Sequence, residues 1–243
     1  MNISKLWSDI AQNAGFLLAA AAVALLLAAA AKAAQRKLCP DLKPEKRTKK
    51  IAVVGMMSAA AFVLQMFEFP LPFLAPEFYK LDFSEVPIMI CAFSMGPAAG
   101  VAAELVKNLL KILIRGTSTA FVGDFANFVI GCSLVLPASV LYCRKKTRKT
   151  ALIGCIVGTL FITLAGSLFN AFYLLPAFSK LYGMDLDVII GMGAAIFPKV
   201  ENFNLYHFVF YCVAPINLIK GAAVSAVILL IYRPLERILQ QRF

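Results

Sequence analysis

Leu81 to Gly131 reads LDFSEVPIMICAFSMGPAAGVAAELVKNLLKILIRGTSTAFVGDFANFVIG, and the rest of the chain is arranged around it. The stretch is too apolar for a water-facing surface. Yet Asp82, Glu85, Glu104, Lys107, Asn108, Lys111, Asp124 and Asn127 stand within or beside its apolar runs. Polar groups at membrane depth are costly unless they meet partners or a ligand, so the stretch reads as much of a binding cradle inside a helical membrane protein. Ser84 is placed to cap a short helix over 84–93, with Pro87 in its first turn. Gly96-Pro97 separates that helix from a second over 98–114. On the second, Glu104, Lys107, Asn108 and Lys111 share one face, either as an internal cluster of ion pairs and hydrogen bonds or as ligand contacts. Gly123, Asn127 and Gly131 recur every four residues of a helix over 121–142, a groove with one polar point for a flat ligand or a close helix.

Composition agrees with a membrane setting. The 243 residues are 61% hydrophobic and 15% charged, with mean hydropathy +0.81, where soluble domains are roughly a quarter charged. The fold class is all-α, a polytopic membrane helical bundle. Continuous rather than alternating apolar runs argue against a β-barrel. The net charge of +11 could suggest nucleic acid, but sixteen of the 24 Lys and Arg fall in three short segments, 32–50, 144–149 and 233–242. Each adjoins an apolar run, which is the positive-inside pattern that sets topology. The cysteines at 39, 91, 132, 143, 155 and 212 form no CxxC pair. They read as small buried hydrophobes rather than disulfides or zinc ligands, and no metal site is expected.

Outward from the central stretch, residues 10–34 form an Ala/Leu run followed by basic residues, so it reads as a spanning helix rather than a signal peptide. Its N-terminus is expected outside. Residues 37–50 are a basic cytoplasmic linker that could meet anionic lipid heads. A helix over 51–67 carries Gly55, Ser58 and Ala59 on one face, for internal packing or for docking a separate membrane subunit. Three prolines in FPLPFLAPEFYK, residues 69–80, forbid a regular helix there and suit a lid or a connector. A helix over 151–175 carries Asn170 near its outer end. Residues 176–204 read as a long outer loop with a short interfacial helix. The last helix, 206–232, carries Pro215, Asn217 and Lys220, and the C-terminus is expected in the cytoplasm.

No enzyme is expected. A nucleophile–base set or metal ligands would be needed, and the lone His207 has no companion. GTSTAFVGD lacks the Gly-Lys-Ser/Thr ending of a phosphate loop, so nucleotide binding is rejected.

Taken in order, EFPLP, LDFSEVP, GPAAGVAAELVKNLLK, GTST, GDFANFVIG and APINLIKG resemble the riboflavin-binding S component of energy-coupling factor (ECF) vitamin transporters, over residues 51–232. The resemblance implies a six-helix S-component domain over 51–243, with 1–36 as an extra N-terminal transmembrane helix and 37–50 as its linker. It implies capture of riboflavin at the outer face of a bacterial cell membrane, with a coupling membrane subunit and two ATPase subunits as partners. Riboflavin would be cargo, and no cofactor is implied. Gly55 and Ala59 fall where the family docks on its coupling subunit. Ligand contacts carry over to Tyr79, Lys80, Leu81, Asn127, Gly131, Asn170, Asn217 and Lys220. The sequence departs from the family at the extra helix, at Lys111 where His is familiar, and at Asp124 where Glu is familiar. An S component for another vitamin or small molecule is the alternative.

The chemistry suits such a ligand. Riboflavin is neutral and flat, with one edge of alternating donors and acceptors and a hydroxyl chain. It needs apolar walls and a few placed polar groups. Asn side chains offer both donor and acceptor. Asn217 and Lys220, at i and i+3, can point at one ligand, unless Lys220 is held in a structural ion pair.

Overall fold

A computed structural model describes residues 14–39, 42, 46–117 and 119–240, with Tyr182 and 233–240 described in backbone only. The expectations for residues 10–13, for linker residues 40, 41 and 43–45 and for the end of the basic tail lie outside the described residues. The described chain is a bundle of α1 (Ala14–Leu38), α2 (Arg47–Gln65), α3 (Glu85–Met95), α4 (Pro97–Arg115), α5 (Val122–Arg144), α6 (Arg148–Phe169), α7 (Leu175–Tyr182), α8 (Leu186–Ile196), α9 (Leu205–Phe208) and α10 (Ala214–Gln240). Between α2 and α3, β1 (Phe69–Pro70) and β2 (Lys80–Leu81) pair antiparallel and close the proline-rich segment into a hairpin-like flap. Among the described residues, four segments are long and apolar enough to cross a membrane: Ala14–Leu38, Val122–Arg144, Arg148–Leu181 and Leu205–Tyr232. Outward-facing Leu25, Ile156, Leu164, Phe172, Phe210 and Leu230 give the bundle an apolar belt.

The basic segments gather at one end of the bundle, and the flap lies at the other. Near the basic end, Phe93 stacks on Tyr142 with ring centroids 4.3 Å apart, and Tyr142 meets Tyr232 edge-on. Helix α6 packs closely along α5 because Gly154 and Gly158 present no side chain. A Cβ at either would sit 2.7 Å from a backbone carbonyl oxygen of α5, which is the small-xxx-small route to close helix approach.

Three local expectations are revised. Ser84 does not cap α3 with its hydroxyl. Its N–H instead donates to Asp82 Oδ1 at 2.8 Å, and its Oγ accepts from Lys107 at 3.1 Å. Local Asp chemistry and a buried ammonium compete with the cap and win. Second, Ser58 leaves the face shared by Gly55 and Ala59. It turns inward and donates to the carbonyls of Val54 and Ala103, while Gly55 and Ala59 remain exposed. Third, the start of 176–204 is helical rather than loop, while α8 lies in its middle, where a short helix is expected. Helix α6 continues through a π-helical turn, Asn170–Leu174, into α7, and α8 follows. A second π turn, Val209–Val213, precedes α10. Each wide turn ends two residues before a proline, Pro176 or Pro215. A proline lacks the N–H and crowds the carbonyl four residues back, so a π turn lets the helix continue instead of breaking.

The extra helix is fastened to the bundle. It packs on α4 and α5, burying Ala31 with Val101, Phe128 and Cys132. The Gln35 side-chain oxygen accepts from Ala98 N–H at 3.1 Å, capping α4. Cys39 is joined to Cys143 by a disulfide, with Cα atoms 5.4 Å apart. That pair corrects the expectation of six reduced cysteines. The two stand 104 residues apart, so only the packing of α1 against α5 reveals them as neighbours. The other four remain free and buried. A tryptic cut in the basic segment 43–50 should therefore leave both fragments joined on a non-reducing gel. Reductant, or Cys143→Ser, should separate them.

Candidate functional site

At the flap end lies a cavity of about 390 Å³, within the range of roughly 300–1,000 Å³ usual for small-molecule sites. The flap contributes Phe78, Tyr79, Lys80 and Leu81. Helix α5 contributes Gly123 and Asn127, the first π turn contributes Asn170 and Leu174, and α10 contributes Ile216, Asn217 and Lys220. Helix α5 begins where it does because the GTST turn supplies its caps: Thr117 Oγ1 accepts from Phe121 N–H and Thr119 Oγ1 from Gly123 N–H.

The polar groups are held firmly. Tyr79 donates its hydroxyl to Asn170 Oδ1 at 2.6 Å, tying flap to π turn. Asn170 Nδ2 donates to Gly166 O at 2.7 Å. Asn217 Nδ2 donates to Val213 O at 3.0 Å. Lys220 Nζ donates to Asp82 Oδ2 at 3.1 Å and to Glu85 Oε1 at 3.0 Å, so one of its three N–H groups is left for the cavity. Burial works against ionisation of Asp82. The Lys220 and Lys107 ammoniums and the Ser84 N–H nonetheless hold its carboxyl well below the usual carboxylate range. Around the mouth, Lys80 and Arg115 both meet Glu68, at 3.0 and 3.1 Å, and Lys111 meets Asp124 at 2.9 Å.

Seven of the eight residues carried over by resemblance line this cavity: Tyr79, Lys80, Leu81, Asn127, Asn170, Asn217 and Lys220. Gly131 does not. It faces α4, where a Cβ would lie 2.5 Å from Glu104 Oε1; its role is to admit that buried carboxylate. Of the cluster on α4, Glu104, Lys107 and Asn108 form an internal network in which Lys107 pairs with Glu85 and Glu104 and Asn108 donates to Glu104, while Lys111 lines the cavity. Lys220 is both ion-paired and cavity-facing, so the two readings of it coexist.

Sequence reasoning passed over Glu68, Phe78 and Phe178. Phe78 and Phe178 meet edge to face at 5.9 Å and wall the cavity. Phe78 was legible, since it lies beside Tyr79 in the flap. Phe178 was hidden by reading 176–204 as loop.

The comparisons agree with this architecture. A family model described as ECF transporter, substrate-specific component, matches residues 49–232. The riboflavin transporter RibU of Staphylococcus aureus (strain TCH60) is 38% identical over 195 residues, 80% of this chain and 94% of that protein. The riboflavin transporter FmnP of Bacillus subtilis (strain 168) is 32% identical over 197 residues, 81% of this chain and 96% of that protein. Among solved structures, an S component of a bacterial ECF transporter is 37% identical, with a TM-score of 0.61, and spans 81% of this chain and 100% of that one. A substrate-specific membrane subunit needs no catalytic residues, and its cavity sits where the sequence concentrated its buried amides. The chain belongs to the substrate-specific (S) components of ECF transporters.

Proposed function

We propose that this S component captures riboflavin from outside a bacterial cell and presents it for ATP-driven uptake. The observation that carries the reading is the cavity itself: three Asn amides and the Lys220 ammonium converge between aromatic and aliphatic walls under a flap. A flat heterocycle with a polar edge and a hydroxyl chain matches such a lining, because apolar walls take the ring while amides pair its edge. The cavity end faces outward and the basic end faces the cytoplasm, as the positive-inside pattern requires. On this topology the N-terminus is external, the C-terminus is cytoplasmic, and riboflavin is cargo without a cofactor. The exposed Gly55 and Ala59 of α2 offer a small-residue face on which the coupling subunit packs, with two ATPase subunits supplying the energy. Flavin-fluorescence titration of the purified chain in detergent, with other vitamins as competitors, tests the proposal. Riboflavin should quench and outcompete the others. Displacement by a different vitamin, with no flavin affinity, would reassign the cargo.

A further inference from the structure

We infer that Lys107, which does not line the cavity, is a positioning residue that makes Asn127 face the ligand as a hydrogen-bond donor. The inference rests on the riboflavin reading and adds a specificity device beneath it. Lys107 is fully buried on α4. Its ammonium reaches Ser84 Oγ and Asn127 Oδ1, each at 3.1 Å, Glu85 Oε1 at 3.4 Å, and Glu104 Oε1 at a close ion pair. An ammonium has donors only. The Asn127 amide must therefore turn its oxygen toward Lys107, and its NH2 is left for the cavity. No partner for that NH2 is found among the described residues. The same reasoning sets Asn217 the other way: its NH2 is taken by the carbonyl of Val213, a pure acceptor, so its oxygen faces the cavity. The floor thus offers a donor from α5, and an acceptor and an ammonium from α10, each orientation fixed by a partner of single polarity.

The charges also require Lys107. Asp82, Glu85 and Glu104 lie within one network with Lys107 and Lys220. Removing Lys107 alone would leave carboxylates uncompensated, which is strongly destabilising in a buried site. The test therefore removes it together with a carboxylate, as Lys107→Met/Glu104→Gln, which leaves the summed charge of the network unchanged.

The experiment is a riboflavin titration of the full chain in detergent, arranged as a double-mutant cycle. Asn127→Ala in the wild-type background should weaken binding about tenfold, the scale of one well-made buried hydrogen bond lost. In the Lys107→Met/Glu104→Gln background, where the amide is free to flip, affinity should already be lower, and Asn127→Ala should add less than about twofold. Full additivity would mean that Lys107 acts on the bundle and not on Asn127, and would overturn the inference. Asn127→Asp needs no removal of Lys107. It keeps an acceptor for the ammonium but turns a second acceptor to the cavity, so binding should fall about tenfold or more; unchanged affinity would overturn the inference. A wild-type chain with no flavin affinity would instead overturn the parent reading, which the wild-type titration reports on its own.

Discussion

Lys220→Ala should raise the Kd for riboflavin at least about tenfold, since a hydrogen bond to a charged group is worth roughly 1.5–3 kcal/mol. The expectation follows from the geometry of its ammonium: two N–H groups hold Asp82 and Glu85, and the third is left toward the cavity. Truncation has a second consequence. Asp82 and Glu85 lose a shared cation, and breaking a buried pair by removing one partner costs about 3–5 kcal/mol. A fall in affinity could then be attributed to a loosened floor. Lys220→Met/Asp82→Asn separates the two effects. It keeps an unbranched side chain one atom shorter, removes one charge of each sign, and leaves Asp82's Oδ1 position able to accept from Ser84 N–H. The double variant should regain most of the thermal stability lost by Lys220→Ala and still bind at least about tenfold more weakly. Restored affinity in the double variant would reduce Lys220 to a structural counter-ion.

The legible parts of the fold were those set by periodicity and charge placement. The break at Gly96-Pro97 was read from a residue pair that cannot continue a helix, and Gly96 indeed takes φ 93° there. The cluster on α4 was read from spacing alone, because i, i+3 and i+4 neighbours meet whatever surrounds them. What escaped needed three dimensions. Spacing placed Gly131 on the Asn127 face of α5, but a separation of four residues also rotates a position by about 40° around the helix, enough here to turn it from cavity to α4. Ser58 was grouped with Gly55 and Ala59 because all three are small. Its hydroxyl turns inward to the carbonyls of Val54 on its own helix and Ala103 on α4, a partner across helices that spacing does not reveal. Pro176 reads as the start of a loop and Pro215 as part of an unbroken last helix, whereas a π turn precedes each and Asn170 and Asn217 reach the same cavity.

Gly166 makes that last point testable, because it has no side chain and yet stands between two of the cavity's amides. Its carbonyl accepts from Asn170 Nδ2, and the space where its Cβ would be is filled by Asn217, whose Nδ2 would lie 2.8 Å from such a carbon and its Cγ 3.0 Å. Within the continuous helical run from α6 through the π turn into α7, a glycine costs about 1 kcal/mol of helix propensity relative to alanine, so its presence has to be explained by what it admits. Gly166→Ala should therefore move two measurements in opposite directions. The flavin-free protein should melt at the same or a higher temperature, because helix propensity improves and the amide of Asn217 can swing aside. Riboflavin affinity should fall about tenfold, because swinging aside gives up the bond to Val213 and withdraws the acceptor from the cavity. Gly166→Val, with two further carbons, should deepen the binding loss to about a hundredfold, since overpacking of this kind costs typically 1–3 kcal/mol. Differential scanning fluorimetry without flavin and a flavin titration on the same preparations read both quantities. If Gly166→Ala binds as tightly as wild type, Asn217 is not held in place by the empty position beside it, and its amide is not where riboflavin is read.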